Sequence, residues 1–160
     1  MSRFMISALA LFTSAGIASA APAQVAGLAP LPTSLPPRCQ PLAHVPASAT
    51  IPGPAIAAHV SVANCLAEDA MNALSLSPSA ASITQLNAAV APSLALLDSV
   101  IRTGDPYWEL VAQGAKRDLY SSLVVRVRRT LPADDAAARA ALEPRLAAWQ
   151  AGESRAEVAM

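Results

Sequence analysis

The sequence predicts an all-α protein: an antiparallel up-down four-helix bundle preceded by a proline-rich extended arm. Three observations carry this. Nine of the fourteen prolines fall within residues 21–54, and each fixes φ and removes a backbone donor, so neither a helix nor a sheet ladder runs through that stretch. Beyond Pro54, large apolar residues recur at intervals of three and four, the period of one helix face. Cap and turn residues then divide the remainder into four lengths of about 20 residues with short connections, and helices joined so closely must reverse direction each time. Gly-rich hairpin turns and alternating strand patterns are absent from the sequence, which leaves little support for a β-sandwich or an α/β fold.

Taken in order, residues 1–20 read as a cleaved secretory signal. Arg3 supplies an early positive charge, Phe4 to Ile17 an uncharged apolar stretch, and Ala18-Ser19-Ala20 the small residues that a signal peptidase accepts. The expected cut follows Ala20. A permanent membrane anchor is the weaker reading, because the apolar run is shorter than the roughly 20 residues of a span and contains Ser7, Thr13 and Ser14. An exported chain, periplasmic or secreted, is therefore expected, with no stable membrane anchor after cleavage. Residues 21–53 then form the arm. It holds Cys39, and Cys65 lies in the first helical segment; the only two cysteines of an exported chain are expected to pair. On a helical wheel Cys65 falls between an apolar side (Val62, Ala63, Leu66, Ala70) and a polar one (Ser61, Asn64, Glu68, Asn72), a margin suited to a strap. A redox or metal-binding pair is disfavoured by the lack of a C-x-x-C spacing.

Residues 54–151 carry the four helices. The first runs from Pro54 to about Ser75, started by Gly53-Pro54. Ser77-Pro78 starts the second, in which Ile83, Leu86, Val90, Leu94, Leu97 and Ile101 form the clearest stripe of the chain. Pro92 interrupts this stripe and predicts a kink one turn upstream. Gly104 can take the left-handed conformation that stops a helix, and Asp105-Pro106 caps the next. The third, to about Thr130, places Trp108, Val111, Ala115, Leu119, Ser122 and Leu123 on one side. The fourth opens at Pro132 with Asp134 and Asp135 in its first turn, where the helix dipole favours negative charge; Leu142, Leu146 and Trp149 form its apolar side, and Pro144 is expected to bend it. Residues 152–160 are expected to fray beyond Gly152.

Composition limits what such a bundle can do. Of 160 residues 38 are alanine and only 4% are aromatic, so helices can approach closely while each contact buries little area, and the disulfide would offset a thin core. Eleven bases balance eleven acids, which speaks against a nucleic-acid binder, since phosphate neutralisation needs a basic excess. No Gly-rich phosphate loop, H-E-x-x-H, G-x-S-x-G or C-x-x-C-H occurs. Glu68-Asp69 and Asp134-Asp135 are adjacent in sequence and diverge by about 100° on a helix, so neither pair converges for acid-base work. No catalytic residue, cofactor or metal site is expected.

Two groups of residues are worth locating. An up-down topology brings His59, Tyr107, Trp108 and Trp149 to one end, where aromatics around an imidazole form a candidate binding site or else simply seal the core. At the other end Arg126, Arg128 and Arg129 approach Asp134 and Asp135, either as a patch for an anionic partner or as helix-end capping and ion pairing. Two functions remain. One is a non-catalytic protein-interaction module, such as an inhibitor, a chaperone-like or an envelope-associated protein, with a protein partner of unknown identity. The other is a small-molecule or haem/metal carrier binding between the helices. His59 and Met71 are twelve residues apart on one helix, about 18 Å, so they cannot share a metal within one chain.

Overall fold

A pair of prolines, a serine and an aspartate set where the first three helices begin. The computed structural model describes residues 25–45, 52–73, 79–131 and 136–160. The expected signal peptide at 1–20, the Ser77-Pro78 start and the opening at Pro132, Asp134 and Asp135 lie outside these. Among the described residues there are four α-helices and no strand: α1 (Gly53–Asn72), α2 (Ala80–Ile101), α3 (Pro106–Thr130) and α4 (Ala136–Val158). Pro52 and Pro54 preset helical φ at the start of α1, which has no side-chain cap. Ser79 Oγ accepts from the Ser82 N–H at 3.1 Å and caps α2. α2 runs unbroken through Pro92, which is exposed. Two residues beyond its C-cap at Arg102, Gly104 takes a φ of 71°. Asp105 then caps α3, accepting from the N–H groups of Tyr107 at 3.0 Å and Trp108 at 3.2 Å.

The buried residues fall into two clusters. The first joins Ala67 and Ala70 of α1, Ile83, Leu86 and Val90 of α2, Leu119, Leu123 and Val127 of α3, and Leu142, Leu146 and Trp149 of α4. The second joins Ile56, Val60, Val62 and Ala63 of α1, Leu96, Leu97 and Val100 of α2, and Ala112 of α3. Among the described residues, none of the buried members of the second cluster comes from α4. Its remaining side is covered instead by Val25, Leu28, Leu31 and Leu35, which belong to an irregular segment ending in a single 3-10 turn at Gln40–Ala43.

Three expectations change. The sequence gives α2 and α3 a single stripe each, but both helices pack against neighbours on more than one side, α2 on α1 and α3, and α3 on α2 and α4. The buried arc is accordingly wider. Leu94 and Ile101 are only half-buried, whereas Leu96, Val100, Ser93 and Ser99 are buried; on α3, Ser122 is exposed and Ala112, Gln113, Val124 and Val127 are inside. Nor does the chain fray at 152: α4 continues to Val158. Gly152 is buried, and a Cβ there would lie 2.8 Å from the Tyr120 ring. The glycine is thus a point of close approach between α3 and α4, and it holds the last turns, with Ala156 buried beyond it, against the bundle.

Candidate functional site

The structure joins Cys39 to Cys65 in a disulfide, with Cα atoms 5.7 Å apart. Both residues are buried. Arg38 reinforces the junction: its Nη2 donates to the Cys65 carbonyl at 3.2 Å and its Nε pairs with Asp69 Oδ1 at 3.0 Å. The segment around Cys39 is therefore fixed covalently and electrostatically to the outer margin of α1. Twelve residues upstream, Gly27 holds a φ of 93°, and a Cβ there would stand 2.8 Å from the Arg102 carbonyl oxygen. Only glycine allows the chain to pass so close beneath the end of α2.

Between these two anchors lies His59, 7% exposed on α1. Its Nδ1 is 2.7 Å from the carbonyl oxygen of Ala55, one turn back, and its Nε2 is 2.7 Å from that of Ala29 in the covering segment. Each ring nitrogen thus faces an acceptor.

Of the residues expected to gather with His59, Tyr107 and Trp108 stand together, and Trp149 does not. The Asp105 cap fixes the first turn of α3, where the two rings meet edge-on with centroids 5.1 Å apart. Trp108 is half-buried against the second cluster, whereas Tyr107 is 66% exposed and Leu110, one turn further on the same side, 50% exposed. Trp149 packs in the first cluster and its Nε1 donates to Asn87 Oδ1 at 3.3 Å. A fourth helix ending near 152 would make Trp149 a terminal residue; with the helix extended to Val158 it lies well inside. Of the expected four, only Tyr107 and Trp108 are seen in contact, and Leu110 is an exposed neighbour the sequence did not single out.

At the other end, Arg126 and Arg129 line an open groove of about 650 Å³ with Met71, Asn72, Val125 and Thr130. Asp134 and Asp135 lie outside the described residues, so the expected ion pairs are not seen. Arg126 Nε is buried without a hydrogen-bond partner among the described residues. The last turns of both α1 and α3 border this groove, and helix C-termini carry negative partial charge. Arginines are at home there, while an anionic partner would meet two unfavourable dipoles. Lys116 bridges α3 to α2 through Asp98 at 2.6 Å. Its neighbour Arg117 is partly exposed; hydrogen bonds to Asp118 and the charge of that carboxylate hold its proton more firmly than usual.

Among the described residues no group of three or more His, Cys, Asp or Glu can hold a metal ion, and no helix is long and apolar enough to cross a membrane. No protein-family model, no curated protein and no solved structure matches the chain.

Proposed function

We propose that the chain is an exported, non-catalytic protein-interaction module: an antiparallel up-down bundle whose proline-rich arm is strapped to the helices and completes the binding platform. Several observations support the architecture. Tyr120 meets Gly152 while Gly114, earlier on α3, lies beside Met160, later in the chain, a pairing that supports opposite senses for the two stretches. Late α1 clusters with early α2, and early α1 with late α2, which fits the same alternation. The disulfide suits an oxidising compartment.

The observation that carries the functional reading is the exposed pair Tyr107 and Leu110. They sit on a capped helix start, beside Trp108 and above a packed cluster. Large apolar side chains presented on a rigid support are what a partner surface offers, because the side chains lose little freedom on binding. A carrier using His59 as a ligand is less well supported, since the ring would have to surrender both carbonyl contacts.

The test compares the mature secreted chain with a Tyr107→Ser/Leu110→Ser double variant in recovering partners from the native source. Loss of one specific partner, with circular dichroism unchanged, is the expected result. Equal recovery by both chains, or no specific partner for either, would overturn the reading.

A further inference from the structure

We infer that α3 carries a self-complementary seam on which a second copy of this chain docks, its own α3 running antiparallel. The seam is Asp118, Ser122, Val125 and Arg129. Their spacing of four, three and four residues is that of the a and d positions along the contact line of two coiled helices. All four are exposed, and Val125, 44% accessible, is the large apolar side chain among them. They also line a continuous depression between α1 and α3. Asp118 and Ser122 border its shallower part, and Ser122, Val125 and Arg129 border the open groove of about 650 Å³. Met71 of α1 borders both.

The order of the four residues selects the occupant. In a two-fold contact, residue i of one copy faces residue j of the other and j faces i. With the axis between Ser122 and Val125, Asp118 lies opposite Arg129 of the second copy, Arg129 opposite its Asp118, and each Val125 over a Ser122. Opposite charges meet at both ends, and a large side chain meets a small one twice in the middle. Parallel pairing in register would instead set Asp118 on Asp118 and Arg129 on Arg129, which is repulsive. An unrelated chain would match this order only by chance, whereas the chain matches itself by symmetry.

Asp118 is able to serve. It accepts from Arg117, its neighbour in sequence, at 2.7 Å, and both side chains reach water, so that pair is worth little and the second carboxylate oxygen still accepts. The dipoles at the ends of α1 and α3 disfavour a free anion there. The incoming carboxylate, however, is carried on a helix and meets a guanidinium head held off the axis on a long stem. Asp118 and Arg129 stand eleven residues apart, about 16 Å along the helix. So short a contact gives a reversible dimer, with Kd on the order of 10–100 µM. This seam stands or falls separately from the partner surface at Tyr107 and Leu110.

The experiment is sedimentation equilibrium on the mature chain with its disulfide intact, from about 5 to 500 µM, with circular dichroism as the control for folding. The wild type is expected to pass from monomer to dimer over this range. Val125→Glu seats a carboxylate in the middle of the contact and should leave a monomer throughout. Asp118→Arg and Arg129→Asp should each weaken the dimer at least about tenfold by bringing like charges together. The double variant Asp118→Arg/Arg129→Asp restores opposite charges in reversed order and should recover dimerisation, as should an equimolar mixture of the two single variants. Tyr107→Ser/Leu110→Ser should dimerise like the wild type. A wild type that stays monomeric throughout, a dimer that survives Val125→Glu, or a double variant no better than the singles would overturn the seam. So would loss of the dimer in Tyr107→Ser/Leu110→Ser, because the contact would then lie at the start of α3. Should Val125→Glu fail to fold, the charge reversals, confined to exposed residues, decide alone.

Discussion

Gly27 and Gly104 both hold a positive φ, 93° and 71°, yet they face different surroundings. A Cβ at Gly104 meets nothing within 4 Å, while one at Gly27 meets backbone at 2.8 Å. Gly104→Ala is thus a strain on dihedral angles alone, about 1–2 kcal/mol. Gly27→Ala adds a collision with the Arg102 carbonyl that no side-chain rotation relieves. It is expected to cost more in urea unfolding, and to raise amide exchange in 25–38 while leaving α3 and α4 protected. The Cys39–Cys65 pairing was legible in the sequence because two cysteines admit one partnership. The part played by Gly27 was not, since a glycine among prolines looks like any other loop residue until its neighbour across space is known. Leu110 was illegible for a similar reason: exposure is a property of what fails to pack against a residue.

The turn between α2 and α3 was read more successfully than the helix faces. Gly104, Asp105 and Pro106 act within a few residues of themselves, so local chemistry determines the turn between α2 and α3. Faces depend on which elements arrive from elsewhere. The stripe on α2 puts Leu94 on equal terms with Leu97, but Leu97 is fully buried and Leu94 half-buried. Leu97→Ala is expected to cost about 2–5 kcal/mol, as buried leucine truncations do, and Leu94→Ala distinctly less in the same denaturant titration; equal costs would mean that the second cluster is packed no more tightly than the margin. The misplacement of Trp149 has its origin at this scale too. Gly152 looks like a stop when a helix is considered alone, and becomes a contact only once Tyr120 is opposite it.

At the scale of the molecule, the disulfide links a segment without α-helix to the first helix across a sequence separation of 26. Closing such a loop restricts the unfolded chain and is worth roughly 3 kcal/mol in the chain-entropy model, a substantial share of the 5–15 kcal/mol typical of small proteins. Reduction should therefore lower the unfolding free energy obtained from urea titration by about 3 kcal/mol without removing the helical circular dichroism signal, and thiol titration of the unreduced, unfolded chain should find no free sulfhydryl. The covering segment has a further consequence. Among the described residues α4 contributes none of the buried members of the second cluster and Leu28, Leu31 and Leu35 take that side, so removal of the segment upstream of the first helix is expected to destabilise the whole. A chain trimmed to its four helices would be roofless at one end, with a greasy floor open to any neighbour, and is expected to self-associate more readily than the intact chain, as light scattering would reveal.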